Sequence, residues 1–443
     1  MWKFIKSLYL TDELFYAIGA VVFLFLGGFF FSFLVTVGYL LLVVLALLAV
    51  ADMLLLYFRS GVQGSREVPG RLSNGDFNPV RLTVTNGYAF PCRLLLIDEL
   101  PVQFQKRDMY EVRRAAAGET ITVEYAVHPV ERGAYHFGVL NVYARSPLHL
   151  VARRYRLAQG QSVQVFPSFL QMRRYELLAV SDRLTEAGIK KIRRVGHPME
   201  FDHIRDYVRG DDYRTLNWKA TARRHRPMVN QFQDEKAQPV YAVINMGRVM
   251  KMPFNGLSLL DYAINASLVL LNIALLKQDR AGLVTFGKTV ETFLPARNKR
   301  IAITPVMEAL YNQQTGFAEP DYEALYSTLS RRVRQRSLLV VFTNFEGKSS
   351  LRYQLPYLQR LAKQHLVVVV FFRNTELEAL AARRPESSEE IFINTVSAQL
   401  LLEKRQIVRE LQLNGIQAVL TEPENATLNT LNKYLELKSR GLI

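Results

Sequence analysis

The densest chemistry in this 443-residue chain lies between Gly196 and Glu235. From Arg183 to Arg226 twelve basic side chains accompany six acidic ones, with Phe201, Tyr207, Tyr213 and Trp218 interleaved. Arg205, Arg209, Arg214 and Arg223 carry planar guanidinium forks suited to bidentate pairing with carboxylates or phosphates. Gly210-Asp211 reads as a turn in which the carboxylate takes nearby backbone N–H groups. Glu200, Asp211 and Asp212 form a carboxylate group that a hydrolase could use for acid–base work. Their arginine-rich surroundings favour structural ion pairs instead. The basic run Lys190–Arg194 could meet anionic lipid or nucleic acid, or stand as a solvated face. No nucleic-acid-reading module accompanies it.

Other chemistries find little support. His197, His203 and His225 lack metal-ligand spacing, and Cys92 is remote from them, which argues against zinc. Neither a Gly-x-Ser-x-Gly elbow nor a phosphate-binding Gly-x-x-x-x-Gly-Lys-[Ser/Thr] loop occurs. Any ATPase activity is therefore expected from a partner. With one cysteine, no intrachain disulfide can form. The net charge of +16 points to acidic partners or an anionic membrane surface.

Three kinds of element must position these residues. Leu14–Phe31 and Phe33–Tyr57 are apolar runs long enough to cross a bilayer core, which takes about 20 helical residues. The uncharged stretch Ser32 to Gly38 reads as the connection of a helical hairpin, with Gly27 and Gly28 allowing close approach. Lys3 and Lys6 on one flank, and Arg59 and Arg66 on the other, put both ends in the cytoplasm by the positive-inside rule. A signal anchor with the bulk outside is the alternative topology. The apolar stretch is far longer than a cleaved signal peptide's core of about 7–15 residues. Asp52 reads as an interfacial residue.

Short alternating runs then recur at Val80–Thr85, Arg93–Ile97, Thr120–Val127, Gly138–Tyr143 and Ser162–Phe166, with turn signals between them. They predict an antiparallel β-sandwich. After Gln238 the pattern becomes α/β. Strand-like runs at Val240–Ile244, Gly282–Phe286, Leu338–Thr343, Leu366–Phe372 and Gln417–Leu420 alternate with helical stretches such as Leu257–Lys277, Asp321–Arg334, Leu351–Gln364, Val396–Leu413 and Ala426–Ser439. That alternation predicts a doubly wound, mostly parallel sheet. The expected organisation is a transmembrane hairpin over 1–59, a β-sandwich-like domain over 60–168, the Arg/Asp/Trp segment over 169–236 and an α/β domain over 237–443.

The central segment resembles the hallmark of the domain of unknown function 58 family. The matching residues are Glu200-Phe201, Arg205 and Tyr207, Gly210-Asp211 with Arg214, Trp218-Lys219, and Ala222-Arg223. Arg132-Gly133-x-Tyr135 and Val165-Phe166-Pro167 look like the family's β-region, while Ser146-Pro147-Leu148 departs from its usual Asp-Pro-Leu stretch. The resemblance implies a von Willebrand factor A-like α/β domain after the hallmark. It also implies a MoxR-type AAA+ ATPase as partner, a role in maturing membrane and envelope complexes, and a place in the bacterial inner membrane. Enzymatic activity is not implied.

Domains of that type often hold Mg²⁺ through Asp-x-Ser-x-Ser after the first strand, with a Thr and an Asp on later loops. Here Asn245, Gly247 and Val249 stand at the first three positions and Asn344 at the last, while no Thr aligns near Thr315–Asp321. Both anionic ligands and both hydroxyls are missing, and Arg248 adds a positive charge. The expectation is a membrane-anchored, non-enzymatic adaptor with no metal and no cofactor, binding a protein partner and membrane lipids but no specific nucleic acid. The alternatives are the Glu200/Asp211/Asp212 hydrolase and an anionic-lipid or nucleic-acid binder.

Overall fold

A computed structural model describes residues 6–58, 61–105, 109–180, 188, 199–234, 237–298 and 303–443, and within these not the side chains of 180, 199–202 and 232–234. Lys3, Arg59, Lys190–Arg194, His197 and Glu235, all named above, lie outside the described residues. The chain is mixed α/β and divides into two compact units, Met1–Phe166 and Pro167–Ile443.

The first unit begins with strand β1 (Leu8–Leu10) and two antiparallel helices, α1 (Asp12–Gly27) and α2 (Ser32–Tyr57). Its remaining strands are β2 (Val62–Glu67), β3 (Arg71–Ser73), β4 (Asn78–Asn86), β5 (Cys92–Asp98), β6 (Met109–Ala115), β7 (Thr120–Val127), β8 (Gly133–Phe137), β9 (Leu140–Arg145), β10 (Val151–Leu157) and β11 (Gln161–Phe166). They form an antiparallel sheet in the order β1-β10-β9-β5-β6 and two three-stranded sheets, β2-β4-β7 and β3-β11-β8. Alternation along β5 buries Leu94 and Leu96 against Leu82 and Val84 of β4, as a half-buried strand requires. Cys92 lies in this core, and burial, aided by the charge of Asp52, pushes its thiol up to about 12.

The helical hairpin turns earlier than its composition suggests. The connection is residues 28–31, closed by Phe31 N–H donating to the Gly27 carbonyl at 3.1 Å, and Ser32 already begins α2. The glycines matter here because a Cβ on Gly28 would come within 2.5 Å of Val35 Cγ2, and one on Gly38 within 3.0 Å of the Phe25 ring. Two described helices are long and apolar enough to cross a membrane, α2 and the later helix Leu259–Leu276. They differ in surroundings: only 6% of the apolar window of α2 is buried, against 89% for the other, which is a core helix. The sixteen residues of α1 make it the shorter arm.

The hairpin is fastened to the β-sheets at its base. Asp52 is fully buried, and its Oδ2 accepts the backbone N–H groups of Leu150 and Val151, each at 2.9 Å. The interfacial reading of Asp52 is thus replaced by a cap on the start of β10. Leu56 packs into the β core, while its carbonyl accepts from Tyr88 Oη at 2.7 Å and Arg153 Nη1 at 2.6 Å. Thr11 Oγ1 donates to the carbonyls of His149 and Leu150. Arg66, counted above as a flanking charge, is buried instead. It pairs with Asp98 at 2.6 Å and lies over the Phe137 ring.

The second unit holds α3 (Phe169–Val180), β12 (Met199–Asp206), α4 (Trp218–Arg224), β13 (Met228–Asp234), β14 (Pro239–Asn245), β15 (Pro253–Phe254), β16 (Leu257–Ser258), α5 (Leu259–Leu276), β17 (Arg280–Phe286), β18 (Val290–Arg297), α6 (Ile303–Tyr311), α7 (Tyr322–Arg332), β19 (Leu338–Phe342), α8 (Lys348–Gln364), β20 (Leu366–Phe372), α9 (Thr375–Ala382), α10 (Ser388–Leu413), β21 (Gln417–Thr421) and α11 (Ala426–Ser439). A six-stranded sheet runs β18-β17-β14-β19-β20-β21, parallel except for the edge pair β17/β18. β14 and β19 are buried along their whole length, as strands covered on both faces must be. One face packs on α5, α6 and α11, the other on α7, α8 and α10. Because β17 and β19 flank β14 on opposite sides, the strand order reverses at β14, the point beside whose carboxyl end sheets of this kind commonly take ligands.

Candidate functional site

The charge-dense segment is a two-stranded hairpin, β12 with β13, whose connection carries the distinctive residues. Arg205, near the end of β12, holds Asp211 through both guanidinium nitrogens, Nη1 to Oδ2 and Nη2 to Oδ1, each at 2.8 Å. Its Nε donates to Gln231 Oε1 on β13 at 2.8 Å, so one side chain ties turn and strand together. Asp211 Oδ2 also accepts the Val208 N–H at 2.9 Å. Arg205 first, and that N–H second, hold the carboxyl below the usual carboxylate range. The turn needs a residue in the left-handed region, and Gly210 supplies it with φ +115°.

Asp212 caps a short 3₁₀ turn, accepting the Arg214 N–H at 2.9 Å. Asn217 then caps α4 through the Ala220 N–H at 3.0 Å and donates to Asn230 Oδ1 on β13. Asp211 and Asp212 are therefore both occupied in shaping the loop, and a depressed carboxyl is poorly suited to act as a general acid. Glu200 and Phe201 lie in β12, and their side chains are outside the description.

This bracing leaves the aromatic residues facing outward. Trp218 is 73% exposed, Tyr213 71% and Tyr207 37%. Exposed basic side chains surround them: Arg209, Arg214, Lys219 and Arg223, with Arg224 and Arg226 beyond. Ala222 is exposed on α4 as well. The arrangement is a rigid loop presenting large apolar rings within a cationic field, a combination enriched at protein interfaces.

At the carboxyl edge of the six-stranded sheet, the four positions compared with a metal site serve packing and hydrogen bonding. Asn245, fully buried, donates from Nδ2 to Thr343 Oγ1 at 2.9 Å and accepts the Gly247 N–H at 2.8 Å. Thr343 Oγ1 in turn shares a 2.8 Å bond with Tyr322 Oη, and burial pushes that phenol up. Val249 joins the hydrophobic core. At Gly247 a Cβ would meet Pro320 Cδ at 2.8 Å. Asp321 caps α7 by accepting the N–H groups of Glu323 and Ala324, and Arg248 pairs with Glu319 and Glu346. Among the described residues no group of three or more His, Cys, Asp or Glu side chains could hold a metal ion.

Asn344 also reveals a residue that sequence reasoning passed over. Its Oδ1 accepts Lys404 Nζ at 2.6 Å, and the same ammonium donates to the Phe345 carbonyl. Desolvation pulls Lys404 down to about 8. In the sequence Lys404 sits within Glu403-Lys404-Arg405, which looks like any solvated helix face. Only the packing of α10 on the sheet brings it to Asn344.

Residues 203–410 match the model of a family described as "Protein of unknown function DUF58". The "Uncharacterized protein YeaD" of Bacillus subtilis is 26% identical over 307 residues, which span 66% of this chain and 70% of the relative. Among solved structures, the conserved hypothetical protein BatB from Bacteroides thetaiotaomicron aligns at 13% identity over 46% of this chain and 100% of its own, with a TM-score of 0.31. The CARDB domain of a Pyrococcus furiosus protein, solved with di-metal ions, aligns at 11% identity over 24% of this chain and 86% of its own, with a TM-score of 0.19. At such scores neither likeness bears on function. The family match thus takes in the braced loop and five of the six strands of the large sheet, β21 lying beyond it, and with the Bacillus relative it marks a similarity to proteins of unknown function.

Proposed function

We propose that this protein is a membrane-anchored, non-enzymatic adaptor whose β12–β13 loop docks a protein partner. The observation that carries the reading is the pair Tyr213 and Trp218, each more than two-thirds exposed on a loop fixed by the Arg205–Asp211 fork. Exposed rings on a preorganised loop lose little conformational freedom on binding, so they make efficient anchors. The surrounding arginines and Lys219 favour an acidic partner surface. A MoxR-type AAA+ ATPase is the partner this reading names, the motor activity lying with it and the recognition with this chain.

The same reading takes α1 and α2 as two membrane spans with the bulk in the cytoplasm of a bacterial inner membrane. An apolar surface as large as that of α2, with Leu40, Leu47 and Leu54 all more than half exposed, calls for lipid around it. With Arg66 buried, the positive-inside bias rests on Lys3, Lys6 and Arg59, joined by Arg145 and Arg154 near the hairpin base. The three sheets of the first unit read as a β-sandwich-like domain. The second unit reads as a von Willebrand factor A-like domain in which Asn245, Thr343 and Tyr322 satisfy one another in place of a cation.

The test is affinity capture from bacterial membranes with the full chain and with Trp218→Ala. The full chain should recover an AAA+ ATPase, and the variant, still folded, should lose it. Capture of nothing by a folded full-length bait, or equal capture by both, would sink the reading.

A further inference from the structure

The second unit contains a cavity of about 230 Å³ beside the carboxyl ends of β19 and β20, walled on one side by α10. Its lining is mainly apolar, including Phe254, Leu259, Phe372, Leu400 and Leu401. Lys404 enters this wall from α10. Its ammonium has three N–H donors, and the two acceptors it meets, Asn344 Oδ1 and the Phe345 carbonyl, are both neutral. Among the described residues no carboxylate is in ion-pair contact with it. Glu346, the carboxylate of the lining, pairs with Arg248 and acts on Lys404 from beyond contact distance. The other cation of the lining, Arg373, is already matched by Glu378 and Glu422.

An ammonium taken from water with no carboxylate in contact, and only the longer-range charge of Glu346 to offset its burial, is a costly arrangement, and an entering anion would relieve it. The apolar walls would meanwhile reward a hydrocarbon body. Size narrows the class: an apolar cavity of about 150 Å³ accepts benzene, so this one suits on the order of ten non-hydrogen atoms. We propose that the cavity binds a small organic carboxylate, with its carboxylate on Lys404 Nζ and its apolar body between α10 and Phe372. The site is separate from the β12–β13 loop, and its existence does not depend on the adaptor reading.

Calorimetric titration of the full chain in lipid nanodiscs tests this with three probes: 4-phenylbutyrate, its uncharged analogue 4-phenylbutanol, and an acetylated hexapeptide ending in a free leucine carboxylate. The acid should bind, and the alcohol should bind about tenfold more weakly or worse, because it leaves the ammonium unmatched. In Lys404→Met the preference for acid over alcohol should vanish. Leu400→Trp, which fills the cavity and leaves the lysine in place, should abolish saturable binding of the acid and so separate it from partition into lipid. If Lys404→Met does not fold, Lys404→Gln takes its place, and the acid's affinity in the unaltered chain should also weaken as pH rises past about 8. Equal affinity for acid and alcohol, a preference that survives loss of the charge, or binding that survives Leu400→Trp would each overturn the assignment. So would a peptide that binds while the free acid does not, which would make the occupant a protein terminus.

Discussion

Trp218→Ala separates a docking residue from a folding residue, because the structure sets different limits on the two effects. Trp218 is 73% exposed, so only about a quarter of it supports the fold. For a ring system of roughly 250 Å², that quarter is about 70 Å², worth at most ~2 kcal/mol at about 25 cal/mol per Å². The remaining three quarters, about 180 Å², would carry up to ~4.5 kcal/mol if a partner covered it completely. Interface anchors of this kind lose about 2–4 kcal/mol on truncation, which is roughly 30-fold to 1000-fold in Kd. The chain has just two tryptophans, Trp2 and Trp218, so in a Trp2→Phe background the emission spectrum reports on Trp218 alone. Partner binding should shift that emission to the blue, and Trp218→Ala should weaken the complex within the stated range while the melting point falls by only a few degrees. A complex of unchanged affinity, with emission still that of a water-exposed indole, would refute the reasoning.

Replacing Asp52 with Leu strands the N–H groups of Leu150 and Val151 and should cost about 2–4 kcal/mol. An unshifted thermal melt in detergent would show that this carboxylate does not hold the hairpin base. Gly247→Ser brings a Cβ to 2.8 Å from Pro320 Cδ and should destabilise by about 1–3 kcal/mol, measurable by chemical denaturation. A neutral result would mean the loop over β14 yields easily. The carboxyl of Asp211 is depressed below its ordinary 3.8, so its contribution is present above that value and lost as pH falls through the folded-state value. Protection of the Val208 amide from hydrogen exchange should fade over that acidic range, and Asp211→Asn should remove the dependence. Lys404 is depressed from 10.5 to about 8, so above pH 8 the unfolded chain binds more protons and stability should rise toward pH 10.5. Lys404→Met should flatten that rise in a pH series of melts.

Elements whose burial is uniform or strictly alternating could be read from the chain. Leu366–Phe372 and Thr120–Val127 occur over the ranges expected of them, as does the helix Ala426–Ser439. Elements with mixed surroundings could not. β18, Val290–Arg297, is a half-exposed edge strand with no apolar face to betray it, and β10 hides behind Arg153, Arg154 and Arg156. α10 begins at Ser388, eight residues before the expected Val396, because Ser387 caps a first turn carrying Glu389 and Glu390 rather than apolar residues. In the braced loop, the residue types pointed to guanidinium–carboxylate pairing, but the choice of Asp211 for Arg205 depends on the turn at Gly210. Arg66 misled for the opposite reason: a charge beside an apolar run looks like a flank until Asp98, thirty-two positions away, claims it.

The anchoring of α2 also has a mechanical consequence. The apolar stretch from Ser32 to Ala51 is about 30 Å long, a close match to a bilayer's hydrocarbon thickness of about 30 Å. Immediately beyond it, Asp52 and Leu56 are already part of the β core. No slack chain intervenes to absorb rotation. If α2 spans a bilayer as proposed, a thinner one would make a helix of this length lean, and the β10 strand bonded to Asp52 would lean with it. Lipid thickness would thus become a setting for the orientation of the first unit's sheets, much as the length of a strut sets the pitch of whatever is bolted to its end.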